Sequence, residues 1–419
     1  MPAVTAFIWA TLPFASLLHF TGFTFASLSL LAAAAVGTAR IILAFEVRKV
    51  NKKLFWAFLP LVLLTVFSAL PIFWLHLEFS SFISGLLSQT IAVLGLIGYV
   101  ETMIRYEHFA KKGAILGLYF FTSIATFEFL ALLSGQTSLK LWINTILSGQ
   151  SSSRIIVTGF EPSIASRISA FNIGLLLFLH STKPRYIYYF LVFSNVLVFF
   201  MSFSLIGFFI PVSFLILLSL SKIRFLFSWR VVSVIFVICL LGLFLVVFSW
   251  DSIAATHAGR RVILAVRTPI EHWAYLDGST ALRLLNQIVA VRIFLDAPLG
   301  IGAGQFFAYF SDYSGDLFVP VRGLGEVRKA FENETANPQS IFMRMVVEGG
   351  ILSLSILIVL SIWVVSKLRQ FNLGELFFLS FIIVSAGQTA SFGFSHIWAG
   401  IAIILSGAIH DHRMAKRKL

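Results

Sequence analysis

Apolar segments of about 20 residues recur along nearly the whole chain, and that recurrence leaves few folds open. They fall at 3–20, 22–45, 54–75, 80–103, 113–134, 162–180, 186–202, 204–220, 230–250, 338–365, 373–392 and 396–410. A backbone out of contact with water must satisfy its own N–H and C=O groups, so segments of this length become membrane-spanning helices. The pattern predicts an all-α polytopic membrane bundle of about 12 transmembrane helices. It forms a single integral membrane domain over residues 1–419. The pair between Tyr186 and Leu220 reads as two crossings, because both its flanks are basic. Only 12% of residues are charged and 58% are hydrophobic. A soluble globule carries about twice that charged fraction.

The formal net charge of +13 does not mark a nucleic-acid binder. The excess cations sit in short connections between apolar segments: Arg48, Lys49, Lys52 and Lys53; Arg105, Lys111 and Lys112; Lys183 and Arg185; Lys222, Arg224 and Arg230; Lys367 and Arg369; Arg413, Lys416, Arg417 and Lys418. All fall on one side if the segments cross in turn. By the positive-inside rule that side is the cytoplasm, and both termini lie there. Residues 3–20 lack a basic leader and read as a retained first helix rather than a signal peptide. The one cysteine, Cys239, lies within an apolar segment. It offers neither an intrachain disulfide nor a thiolate metal site. The His, Asp and Glu residues show no metal-ligand spacing, and no phosphate-binding loop is present. No metal or cofactor is expected.

Two polar stretches remain on the outer side, a smaller loop at 135–161 and a large one at 251–337. The large loop is close to neutral and carries helices of its own. Thr268, Pro269, Ile270 and Glu271 form a capping box with proline at the first helical position, and Gly278 stops that helix. Ser279 or Thr280 caps the next, which runs to about Leu295 and ends before Pro298. Leu284, Leu285, Ile288 and Leu295 are its expected apolar face, while Arg283, Asn286 and Gln287 lie together at i, i+3 and i+4. Gly300, Gly302 and Gly304 allow a tight turn beneath other structure.

The following apolar segment opens with Asn337 as cap and Pro338 at the first helical position. Ser340, Arg344 and Glu348 then share a face at i, i+4 and i+8. A charge deep in a span costs roughly 2.5–3.5 kcal/mol. The two ions therefore either neutralise each other as a packing pair or line a substrate cavity. Arg283 offers a permanently charged fork that matches diphosphate oxygens; Arg260, Arg261 and Arg322 are commoner surface charges. In the smaller loop Arg154 and Glu161 stand out. Glu161 precedes a helix-starting proline. It either favours the positive end of a helix dipole or acts as a base or sugar-hydroxyl acceptor. Glu128, inside the fifth segment, is expected to face the bundle.

Three stretches then carry a resemblance. Arg154 with Gly159, Phe160, Glu161, Pro162 and Ser163 is similar to an outer-loop motif of the bacterial O-antigen polymerase and ligase superfamily. Ser279, Arg283 and the run Asp296 to Gly302 resemble its arginine-containing loop stretch. Asn337, Pro338, Gln339 and Ser340, followed by Glu348, Gly349 and Gly350, resemble its entry to the next span. The likeness covers mainly residues 150–350, and the long outer loop before the last three segments agrees with it. Ligases of this superfamily carry a histidine where this chain has Gln339, and glutamine is no base near neutral pH. The polymerase branch fits better.

The resemblance implies a glycosyltransferase that joins undecaprenyl-diphosphate-linked repeat units into O-antigen or exopolysaccharide at the periplasmic face of the bacterial inner membrane. It implies Arg283, Glu161 and Glu348 as catalytic residues, and Arg154, Arg344, Gln339, Ser340 and Arg260 as substrate-binding ones. Its partners would be the lipid-linked glycan, membrane lipid, a chain-length regulator and a flippase. The alternatives are a ligase acting on lipid A core and a transporter of lipid-linked glycan. A transporter predicts two similar halves, and no half-to-half symmetry is visible.

Overall fold

A computed structural model of the chain describes residues 1–13, 27–47, 52–134, 136, 138, 162–179, 185–201, 205–221, 267–269, 278–318, 321, 323–332, 336–389 and 391–417. Every regular element among them is helical. In chain order they are α1 (Pro2–Ala10), α2 (Leu28–Val47), α3 (Lys52–Ala69), α4 (Phe79–Arg105), α5 (Glu107–Leu133), α6 (Pro162–Leu179) and α7 (Arg185–Met201). Then come α8 (Leu205–Ser221), α9 (Gly278–Asp296), α10 (Phe306–Phe318), α11 (Gly325–Glu332), α12 (Ile341–Lys367), α13 (Leu373–Gly387) and α14 (Ser395–Arg417).

Among the described residues, three stretches are long and apolar enough to cross a membrane: Phe79–Arg105, Glu107–Ala131 and Ile341–Gln370. Shorter apolar helices occupy most of the other expected segments, including Tyr186–Phe199 and Phe209–Ser221 as separate elements. The segment at 230–250 lies outside the described residues. So does the second half of the first segment, after α1 gives way to a turn ahead of Pro13, which has no N–H to continue a helix. The described part of the chain is thus an all-helical protein of the kind that inhabits membranes.

The chain forms two compact units. The first comprises Met1–Val66, Ile83–Phe214 and Phe371–Leu419. Its helices meet at small residues. A Cβ on Gly117 would come 2.7 Å from the Ala10 carbonyl, and one on Gly113 would overlap the Ala6 carbonyl, so α1 lies directly on the backbone of α5. This is the small-xxx-small mode of packing between apolar helices. Buried hydroxyls and rings then fasten α1, α2 and α4. Trp9 Nε1 donates to Thr102 Oγ1 at 3.0 Å. Ser29 Oγ lies 2.7 Å from the Tyr99 hydroxyl and donates to the Ile8 carbonyl at 2.8 Å. Such bonds carry weight because no water competes for the groups. Glu128 is fully buried on α5, as its position in an apolar segment requires.

The second unit comprises Phe67–Phe82 and Leu215–Gln370. Its core joins Ala281, Leu285, Val289, Ala290 and Ile293 of α9 to Phe306 and Phe310 of α10, Val327 of α11 and Val347 of α12. The buried face of α9 therefore differs from the expected one. Leu285 is inside, but Leu284, Ile288 and Leu295 are exposed. Two stripes of α9 are apolar at helical spacing, and helical period alone does not say which one faces protein. The helix also begins at Gly278, ahead of Ser279 and Thr280. It ends at Asp296, close before Pro298, as expected. The capping box at Thr268 to Glu271 and the rest of its helix lie largely outside the described residues.

Candidate active site

The site grows from a break in α12. Gly350 has φ 65° and ψ −154°, which divides the helix into a buried first part and a long apolar second part. At the break the first part would leave carbonyls unsatisfied, and the second would leave amides. The loop after α9 supplies both. Ile301 N–H donates to Val347 O and Gly302 N–H to Glu348 O, each at 3.0 Å, while Ile351 N–H donates to Pro298 O at 2.7 Å. The loop passes so close that a Cβ on Gly300 would sit 2.6 Å from Glu348 O and 2.7 Å from Gly350 N. Gly300, Gly302 and Gly304 all have positive φ. The turn that the glycines allow is thus formed, and the structure beneath which it passes is the broken span.

Glu348 ties this crossing together. Its side chain is only 1% exposed. Its Oε1 accepts both the Gly304 N–H at 2.8 Å and Arg344 Nε at 2.8 Å. Arg344 is one turn earlier on the same face, with 17% of its side chain exposed. The guanidinium is therefore anchored at its base and reaches the surface of the unit. A second brace lies beside it. The Gln305 side-chain amide donates to Glu78 O at 2.9 Å and accepts from Glu78 N at 3.0 Å. Ala303 N–H donates to Ser68 O at 2.8 Å.

The entry to α12 departs from the sequence reading. Ser340, not Asn337, is the cap: its hydroxyl accepts from Met343 N at 3.4 Å. Asn337 Oδ1 instead accepts from Gln339 N at 3.0 Å. This short turn places Gln339 at φ 57°, a left-handed conformation uncommon outside glycine. The expected face at i, i+4 and i+8 is therefore a cap followed by the ion pair Arg344–Glu348. Asn and Ser are both good caps, and the turn geometry decided between them.

Arg344, Glu348, Gln339 and Ser340 share the first turns of α12. Arg283 is half-buried on α9, which packs on α12 through Leu285, Val289 and Val347. Among the described residues no hydrogen bond or ion pair joins Arg283 to the Arg344–Glu348 pair. Arg154, Glu161 and Arg260 lie outside the described residues. Also among the described residues, no three His, Cys, Asp or Glu side chains come together as a metal site.

A polar cluster in the first unit was not singled out from the sequence. Arg167 of α6 is 6% exposed, its Nε donates to Ser163 O at 3.2 Å and its guanidinium lies 5.1 Å from the Phe394 ring. His396 of α14 is fully buried between Phe171 and Phe394, and among the described residues neither ring nitrogen has a hydrogen-bond partner. Asn172 Nδ2 donates to Asn195 Oδ1 at 3.0 Å, linking α6 to α7. The available signal was an arginine inside an apolar segment, a residue that marks function by default.

Comparison with family models, with curated proteins and with solved structures finds no match. The resemblance to the O-antigen polymerase and ligase superfamily stays where the three quoted motifs leave it.

Proposed function

We propose that the chain is a membrane glycosyltransferase that polymerises undecaprenyl-diphosphate-linked oligosaccharide repeat units into O-antigen or exopolysaccharide. In this reading about 12 spans sit in the bacterial inner membrane with both termini cytoplasmic, and the 251–337 loop faces the periplasm. The observation that supports it best is the anchored guanidinium of Arg344 at the mouth of a broken apolar helix. A diphosphate leaving group needs positive charge held in place as the anomeric C–O bond breaks. An arginine fixed by its own Nε meets that need without reorganising.

The acceptor sugar hydroxyl attacks the anomeric carbon of the growing chain. The bond to the lipid diphosphate breaks with its electron pair leaving on the phosphate oxygen, and the hydroxyl proton passes to a base. Arg344 joins Arg283 and Arg154 in gripping the diphosphate; Gln339, Ser340 and Arg260 contribute polar contacts. The diphosphate is already a good leaving group, so the reading calls for cations and no metal.

Of the two carboxylates, Glu161 is the better base. Glu348 is buried, and two donors already occupy one of its oxygens. We assign it to positioning Arg344 and the Gly304 loop. The bilayer holds donor and acceptor by their lipid tails and brings their heads together.

The test is a gene deletion complemented with wild type, Arg283→Ala or Arg344→Ala and scored by polysaccharide ladders. Loss of every length beyond one repeat, at normal protein levels, supports a polymerase. Full-length polymer stranded on its lipid carrier assigns a ligase instead. Purified wild type that neither binds nor extends a polyprenyl-diphosphate oligosaccharide in vesicles overturns both.

A further inference from the structure

We infer that α9, although it belongs to the polar 251–337 stretch, lies against lipid with its outer face in the boundary between headgroups and acyl chains. Leu284, Ile288, Val291 and Leu295 recur at i, i+4, i+7 and i+11, so they form one stripe. All four are exposed, Leu295 at 68%. The opposite stripe, Ala281, Leu285, Val289 and Ile293, is buried in the core of the second unit. α9 is thus apolar on two faces, and among the described residues protein covers only one of them. A contiguous exposed apolar stripe on a helix marks a surface that something covers.

The occupant is identified by what the stripe runs into. Leu299, 59% exposed, continues it past the end of α9. At that point the chain crosses α12: a Cβ on Gly350 would come 2.5 Å from Pro298 O and 2.6 Å from Gly300 N. The next residues of α12, Ile351 and Leu352, are exposed. They begin the exposed apolar side that continues through Ile358, Val359, Ile362 and Val365. Ile341–Gln370 is one of the three stretches long and apolar enough to cross a membrane. The stripe on α9 is therefore continuous with the lipid-facing side of a span. A second protein would have to cover α9 and stop where the exposed apolar side of α12 begins at Ile351.

The flanks agree. Arg283 and Arg292 are half-buried at the sides of the stripe, and Arg292 Nη1 donates to the Tyr313 carbonyl at 3.3 Å. Arginines so placed keep their heads in the polar layer while their stems cover apolar surface. An interfacial helix of this kind sinks its apolar face about 5–10 Å below the headgroups. The crossing at Gly350, with Arg344 and Glu348 in the two turns before it, then lies at headgroup depth. The inference needs only that α12 spans a membrane. It does not depend on the glycosyltransferase reading and survives if that reading fails.

The experiment uses the full chain with Cys239→Ala as background, reconstituted in phosphatidylcholine nanodiscs. A nitroxide is attached in turn at Leu284→Cys, Ile288→Cys, Val291→Cys and Leu295→Cys, with the exposed Asp312→Cys of α10 as comparison. All five positions are at the surface, so labelling leaves the core intact. The expected result is high accessibility to dissolved oxygen and low accessibility to a water-soluble nickel chelate at the four stripe positions, at least several-fold different from Asp312→Cys. Nickel accessibility equal to that of Asp312→Cys overturns the inference in favour of an aqueous loop. Exclusion of both reagents overturns it in favour of a protein partner. A second readout, without the nitroxide, is the rate of modification of the same cysteines by a charged, membrane-impermeant maleimide. Slow reaction at the stripe and fast reaction at Asp312→Cys support lipid cover, and equal rates refute it.

Discussion

Replacing Gly350 with alanine tests the architecture of the proposed site most directly. The backbone there, φ 65° and ψ −154°, belongs to a region that only glycine occupies without strain. That strain costs about 1–3 kcal/mol. The methyl group would also lie 2.5 Å from Pro298 O and 2.6 Å from Gly300 N, both backbone atoms that no side-chain rotation can move aside. The α9–α10 loop must therefore lift away from α12. Lifting it strains or breaks the bonds from Ile301 N to Val347 O, from Gly302 N to Glu348 O and from Ile351 N to Pro298 O. At about 1 kcal/mol each, these add about 3 kcal/mol. The expected loss is about 4–6 kcal/mol, a class that few single substitutions reach. A loss of about 4 kcal/mol lowers the folding equilibrium constant about a thousandfold. Reversible unfolding of purified protein in mixed micelles reads this out. Gly315→Ala is the control, because Gly315 lies within α10 and a Cβ there meets nothing within 4 Å. If Gly350→Ala unfolds within about 1 kcal/mol of wild type, the crossing carries no such stress and the reasoning is refuted.

Gly315→Ala itself is expected to raise stability by about 0.5–1 kcal/mol, since alanine loses less backbone entropy in a helix; any loss in the same unfolding assay contradicts this. Glu348→Gln is expected to cost about 3 kcal/mol by removing the negative member of the Arg344–Glu348 ion pair. Glu348→Gln with Arg344→Met should lose less than the sum of the two, and an additive double-mutant cycle would mean the pair is not coupled. Under the proposed polymerase function, Glu348→Asp, which keeps the charge but shortens the reach, should retain part of the ladder if Glu348 positions Arg344, and a complete loss at normal protein levels would contradict that role. Arg167→Met is expected to destabilise the first unit more than Arg167→Lys, because lysine keeps a cation over the Phe394 ring; equal losses in thermal melts would remove that contact from the account.

Much of the helical layout was legible because a long apolar segment that must satisfy its own backbone N–H and C=O groups has few choices but a helix. Residues 80–103 and 113–134 read as apolar, and α4 and α5 cover them. The Gly300, Gly302 and Gly304 spacing likewise announced a close crossing, since glycines so spaced permit a backbone approach that other residues block. The pairing of Arg344 with Glu348 was readable from a spacing of four in an apolar setting. The cap of α12 was misplaced because Asn337 and Ser340 are equally good acceptors in sequence. The buried face of α9 was misread because two of its stripes are apolar. The seat of α1 on α5 had an unused signal, the glycines 113 and 117 four residues apart in an apolar helix.

What the sequence by itself determined is local and compositional: which segments are helical, how apolar they are, where proline and glycine interrupt them, and which charges lie one turn apart. Those properties follow from backbone chemistry and side-chain spacing within a single segment. Only the tertiary structure decided that α12 breaks at Gly350, that the loop after α9 fills the break, and that Glu348 holds Arg344 and Gly304 with one oxygen. Two glycines side by side permit such a break but do not demand it. The break forms because a loop nearly fifty residues earlier in the chain supplies the hydrogen bonds that the helix gives up there.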